Sequence, residues 1–468
     1  MRAASRLLVA GLLLVALPSP VLAQSAVDPY YEFLMARRLE AQGDDAGALA
    51  ALQRASAADP RSAMVRAEIA AFQLRRNRRD DAEKAANEAL ALNPESAEAH
   101  RVLGLIFSAR ADVNGRSQAQ AAEVAANVRN AISHLEKAVA SPAATSDINL
   151  FYTLGRLYLR NGDDEKAVQT LTRVVSLNPD SVQGRLTLAQ ALVGANNLAG
   201  AIQTLEEIAE DEPRVAATLG QYLEQANRPA DAARAYSTAL TAAPMNRELK
   251  FRRLAALFSA GQFAEVATFA AEAQAQHQDD LRFPRMRARA LAESGAPARA
   301  IEILEPTSRA NPGDPATTFA LAELYSKAGR AGDAERTVRQ LIALEPANAD
   351  ALNYLGYLLA EKGQQLDEAI RLVRRALDIE PENPSFLDSL GWAYFRQGKM
   401  EDAEKYLAPA AEKLPKNSVI QDHLGDVLAR RGRWPDAIAA WSRALDGDGG
   451  DIDRVAIQRK IDQARARR

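Results

Sequence analysis

A chain of 468 residues is long enough for about three ordinary domains, yet 47% of it is hydrophobic and only 6% aromatic, so its core must be mostly Ala and Leu. That composition suits close-packed helices better than sheet. A formal net charge of −3 excludes bulk attraction to nucleic acid or an anionic membrane, and the absence of cysteine excludes disulfides, thiolate zinc sites and cysteine nucleophiles.

In chain order, residues 1–23 read as a signal peptide. Arg2 and Arg6 form a short basic region, Leu7 to Leu17 an apolar run, Pro18 and Pro20 a helix break, and Val21-Leu22-Ala23 carries small residues at a cleavage position. The apolar run is short against the roughly 20 residues a membrane helix needs. Cleavage after Ala23 is expected, leaving no membrane span, and with no cysteine after the run the protein is not a lipoprotein. The expected location is the periplasm.

From Pro29 onward one unit recurs, and its cleanest copy is Pro384 to Asn417. Leu387, Leu390, Gly391 and Tyr394 lie on one face of a first helix, and Ala403, Leu407 and Ala410 on one face of a second; Gln397-Gly398-Lys399 is the turn between them. Small residues mark where the helices approach, large ones where a gap must be filled. One such pair cannot cover its own apolar face and needs copies on either side. The closing residues are Pro60, Pro94, Pro142, Pro179, Pro213, Pro244, Gln278, Pro312, Pro346, Pro381, Pro415 and Gly449, mostly 34 residues apart.

That period, with Gly or Ala in the first helix, Ala in the second and Pro at the end, resembles the tetratricopeptide repeat family. Gly104, Gly155, Gly220, Gly356, Gly391 and Gly425 keep the register in first helices; Ala48, Ala82, Ala131, Ala167, Ala201, Ala232, Ala300, Ala334, Ala369, Ala403 and Ala437 keep it in second helices. The resemblance implies an all-α, right-handed superhelical solenoid of about twelve helix-turn-helix units over residues 24–449, with residues 450–468 as a capping helix. Phrases such as LGWAYFRQG and DHLGDVLARRGRW also resemble bacterial exported, cell-envelope members of the family.

Three places depart from the period. Gly104 and Ala131 stand 15 residues farther apart than the model spacing, so the pair around residues 98–141 is expected to be elongated, both helices by about two turns, with a loop as the alternative. The step from Pro213 to Pro244 is three residues short, which runs Asp211-Glu212-Pro213 straight into the next helix. Beyond Gly449, Ile457, Ile461 and Ala464 share one helical side, as a cap requires; the basic residues Arg454, Arg459, Lys460, Arg465, Arg467 and Arg468 leave an anion-binding tail as the other reading.

Chemistry is sparse. His100, His134, His277 and His423 fall in four different repeats, so no metal-ligand pair or catalytic triad is expected; no cofactor, metal site or catalytic residue is assigned, and the chain reads as no enzyme. The family resemblance implies that partners bind a concave groove lined by first helices. The groove positions of the last three repeats include Asn353, Tyr354, Tyr357, Asp388, Trp392, Phe395, Asp422 and Asp426, an aromatic floor with an acidic edge. Packing between repeats is the alternative role for these aromatics. In the middle repeats Arg252, Arg282, Arg285 and Arg289 form a secondary basic groove, or else a set of solvated arginines. The expected function is a protein–protein interaction scaffold outside the cytoplasm, holding protein or peptide partners during envelope assembly, secretion or appendage biogenesis. The alternative is a carbohydrate-binding or export-linked adaptor of an exopolysaccharide system, with Trp392, Tyr354 and Tyr357 stacking on sugar rings.

Overall fold

The computed structural model describes residues 28–112, 117–449 and 452–467. The expected signal peptide of residues 1–23 and Asn114-Gly115 lie outside the described residues. Those described form twenty-five α-helices and one short 3-10 turn, with no strand among them. They divide into two compact units, residues 1–215 and 216–468, with the division inside the first turn of helix α11.

The first unit holds α1 (Pro29–Ala41) and α2 (Asp45–Ala58), α3 (Ala63–Arg75) and α4 (Arg79–Leu92), and α5 (Ala97–Ala111) and α6 (Gln118–Val139). It continues with α7 (Ile148–Asn161) and α8 (Asp164–Leu177), α9 (Val182–Gly194) and α10 (Leu198–Glu206). After α11 (Pro213–Gln225), the second unit holds α12 (Pro229–Ala242), α13 (Arg247–Ser259) and α14 (Phe263–Gln276), then α15 (Arg282–Glu293) and α16 (Pro297–Ala310). Its later pairs are α17 (Pro315–Lys327) and α18 (Ala331–Leu344), α19 (Ala349–Lys362) and α20 (Leu366–Ile379), α21 (Pro384–Arg396) and α22 (Met400–Lys413), and α23 (Ser418–Arg430) and α24 (Trp434–Asp446). The last helix is α25 (Arg454–Arg465).

Local chemistry places the helix starts. The residue two places after most closing prolines is the N-cap of the next first helix: Ser62, Ser181, Asn246, Asp314, Asn348, Asn383 and Asn417 each accept a backbone N–H from the first turn. Most second helices start without a side-chain cap, held instead by a tight turn from the helix before. At Gly398 that turn needs φ +83°, a left-handed conformation that glycine adopts without steric cost.

Most pairs close on a small-against-large contact, α13–α14 with Leu254 and Val266 being the exception. All eleven register alanines of the second helices, from Ala48 to Ala437, are completely buried. A methyl placed on Gly391 would lie 2.6 Å from Leu407 Cγ and 3.0 Å from the Ala403 carbonyl oxygen; one on Gly425 would overlap the Trp441 indole. Within each unit second helices then pack on following first helices, as α8 does on α9 and α20 on α21, and first helices touch first helices, as α19 does α21 and α21 does α23. From Ala322 to Ala464 the result is one continuous core. Helix α25 ends it by burying Ile457, Ile461 and Ala464 against α24.

Two departures from the period take definite form. The elongation around 98–141 is carried by α6 alone, with 22 residues, whereas α5 has 15. The reason is a start signal: Ser117 and Gln120 form a reciprocal capping box, each side chain accepting the other's backbone N–H at 3.3 and 3.2 Å. The extra Ala- and Gln-rich sequence thereby joins the second helix. The short step near Pro213 shortens α10 to 9 residues, just before the division between the two units.

Gly391→Ala should destabilise the protein by about 1–3 kcal/mol, because a backbone carbonyl and the Leu407 branch cannot both withdraw from the new methyl. Gly332→Ala in α18, where nothing lies within 4 Å, should be neutral or slightly stabilising. Urea unfolding of the two variants checks this; equal midpoints would refute the close contact.

Candidate partner-binding site

The C-terminal groove residues lie on α19, α21 and α23, and the structure brings most of them together by internal packing. The Trp392 ring stacks on His423 with centroids 4.0 Å apart and on Phe395 at 4.8 Å, and its indole N–H donates to Glu361. Arg396 sits over Trp392 and Arg430 over Phe395. Tyr354 packs on Phe319 at 5.3 Å, and Tyr357 is half-buried. Asn353 Oδ1 is buried with no hydrogen-bond partner among the described residues.

The acidic edge is built differently from a free rim. Asp388 is buried and accepts a 2.9 Å bond from His423 Nδ1. Asp422 and Asp426 both take Lys460 of α25, at 2.8 and 2.7 Å, and Asp426 also accepts the Trp441 N–H. These carboxylates are thus spent on holding the cap and the neighbouring repeat. Burial and the adjacent Asp426 hold the Asp422 carboxyl above its usual range even with Lys460 in contact. Burial opposes a charge on His423, but Asp388, with Asp422 and Glu361 behind it, outweighs that and raises the imidazole pKa.

The middle zone is partly neutralised too. Arg252 lies beside Glu224 and Glu248, Arg282 pairs with Asp280 at 2.8 Å and Glu248 at 3.1 Å, and Arg285 pairs with Asp314 at 2.7 Å. Arg289 alone of the four has no ion pair among the described residues; it lies over the Phe258 ring at 4.4 Å. Here α13, α15 and α17 enclose a groove of about 630 Å³, with Phe251, Met286, Leu304 and Leu324 in its lining and Arg289 and Glu323 facing it. This is an open, apolar-floored recess on the first-helix face, the shape that receives a side chain from another chain.

Tetratricopeptide repeat family models match residues 72–147 and 218–281, and 291–360 with 358–424, together more than half of the chain. The chain belongs to the tetratricopeptide repeat family. A model described as anaphase-promoting complex, cyclosome, subunit 3 also matches residues 125–208. A TPR repeat-containing protein of Pseudomonas aeruginosa is 28% identical over 199 residues, 42% of this chain and 34% of that relative, so the match spans about a third of the relative's length. Among solved structures, yeast Tom70 aligns at TM-score 0.45 and 12% identity, covering 94% of this chain and 96% of its own. The anaphase-promoting Cut9–Hcn1 hetero-tetramer aligns at 0.42 and 12%, covering 94% and 91%.

The repeats contain one histidine pair that spacing did not reveal. His100 and His134 do not fall in separate repeats: both lie between the closing residues Pro94 and Pro142, on α5 and α6, with their Nδ1 atoms 2.8 Å apart. His100 Nε2 donates to the Pro94 carbonyl oxygen at 2.9 Å, which assigns its Nδ1 as acceptor and His134 Nδ1 as donor. Burial, followed by the neighbouring His100 and Lys137, lowers the His134 pKa. Among the described residues no three His, Cys, Asp or Glu side chains group as a metal site. A second buried polar contact joins Lys250 to Gln276 and, at 3.2 Å, to His277 Nε2.

The two histidine sites have opposite pH signs. A folded-state pKa lowered below about 6.5 makes the His134 contribution complete above that value and lost as pH falls through the window beneath it. A raised pKa makes the His423 contribution complete below about 6.5 and lost as pH rises through its folded value. On acidification from pH 7.5 to 5.5, hydrogen exchange, corrected for intrinsic rates, should lose protection in α5–α6 and gain it in α21–α23. Parallel changes in both regions would contradict the assignment.

Proposed function

We propose that this tetratricopeptide repeat protein is a non-enzymatic scaffold that works outside the cytoplasm, holding partner proteins on its first-helix face during envelope assembly, secretion or appendage biogenesis. The observation that carries the binding reading is the groove between α13, α15 and α17: half-buried Phe251 and Met286 and buried Leu324 form an apolar lining, with charged groups at its edge. Protein–protein interaction is the general work of the fold. The extracytoplasmic placement is supported by the basic, apolar and small-residue pattern of residues 1–23. Among the described residues no helix is long and apolar enough to cross a membrane. The carbohydrate alternative draws on Trp392, but that indole already spends its N–H on Glu361 and stacks on His423, which favours the protein-binding reading.

A photo-cross-linking residue at Met286, in protein expressed in its native cell, should yield discrete adducts. The same group at Arg299, exposed on α16, should not. Equal adduct patterns at both positions would refute a groove-specific partner. Separately, intact mass of the native protein should begin at Gln24; a chain retaining Met1 to Ala23 would overturn the export reading.

A further inference from the structure

The charged groups that line the groove are almost all matched to one another. Arg282 is held by Asp280 and Glu248, Arg285 by Asp314 and the Thr317 hydroxyl, and Lys327 by Glu293 at 3.0 Å. Two are left over among the described residues: Arg289 on α15 and Glu323 on α17 face the same recess, each without a hydrogen bond or ion pair. They are near enough for the Arg289 charge to act on Glu323, yet the guanidinium is drawn onto Phe258 and the two do not pair. Both side chains are exposed to solvent at the mouth of the recess, and partial burial against the groove wall pushes the Glu323 carboxyl up.

A donor fork and an acceptor that line one recess with apolar residues beneath discriminate among side chains by elimination. A carboxylate would satisfy Arg289 and be repelled by Glu323, and an ammonium would do the reverse. A hydrocarbon would cover both and leave both unsatisfied, which costs the desolvation of each. A carboxamide meets both, since its oxygen accepts and its nitrogen donates from the same end of the group. The backbone amide does not, because its C=O and N–H point in opposite directions from one peptide unit.

We propose that this groove reads the carboxamide of an Asn or Gln in an extended segment of a partner protein, its oxygen on Arg289 and its nitrogen on Glu323, while a neighbouring apolar side chain enters between Met286 and Leu324. The inference rests on the scaffold reading and names the chemistry of the partner. It also makes substitutions at the two charges change the ranking of ligands, which mere weakening of the site would not do.

The test uses the chain from Gln24 onward and four peptides, acetylated and amidated, of sequence Gly-Leu-X-Leu-Gly with X as Gln, Glu, Lys or Met, titrated to millimolar concentration by fluorescence anisotropy. The Gln peptide should bind about tenfold or more tightly than the other three. Glu323→Gln should make the Glu peptide the best ligand and Arg289→Gln the Lys peptide, with circular dichroism unchanged in both. The same rank order in all three proteins, or no binding by any peptide, would overturn the proposal. Adducts that persist at Met286 in that event would leave the scaffold reading standing, whereas loss of site-specific adducts would remove that reading too.

Discussion

The close approach of the two helices in a pair is the contact on which everything else depends. Ala403 is fully buried, and Leu407 fills the space over Gly391, because at that distance one helix can offer only a hydrogen or a methyl while the other supplies the bulk. The contact leaves the outer face of each pair apolar. That face is covered only by the next pair, so the protein extends by repetition and its stability is a sum of local terms. At the last pair the cover is α25, whose Ile457 and Ile461 do what another first helix would have done.

Repetition also determines where polar groups meet. First helices sit beside first helices one period on, so side chains about 31 to 35 residues apart become neighbours. Arg37 reaches Glu68, Arg75 reaches Glu40, Lys327 reaches Glu293, His423 reaches Asp388 and Lys460 reaches Asp426 by this rule. Most of these pairs are partly exposed and individually contribute little. Their joint effect is to neutralise the first-helix face from within, which leaves few charges available to a partner.

This ladder explains what could and could not be read from the sequence. The helices, their order and the role of the alanines were legible because they depend on spacings of three, four and 34 residues within one chain segment. The starts of most first helices were legible in the Ser, Asp or Asn two places after the closing proline, whereas α7 starts after Asp147 and α11 at Pro213 itself. Asp388, Asp422 and Asp426 looked like groove charges because each was read against its own helix; their partners His423 and Lys460 stand 34 to 38 residues on. A comparison of each groove position with its counterpart one period later would have found them. The His100–His134 contact was less accessible, since it depends on Ser117 and Gln120 assigning the inserted residues to α6.

The same reasoning locates specificity. A face whose charges are matched by its own repeats cannot select partners by net charge, and −3 over the whole chain offers no help. On the proposed reading, what selects is the residue that escapes the ladder. Arg282 and Arg285 find Asp280, Glu248 and Asp314, but Arg289 meets Phe258 instead, and Glu323 on the next first helix loses the partner that the ladder would have supplied. The unmatched donor and acceptor beside the groove arise because Arg289 lies over the Phe258 ring and not against Glu323 one period on, and the regularity of the rest makes that exception readable.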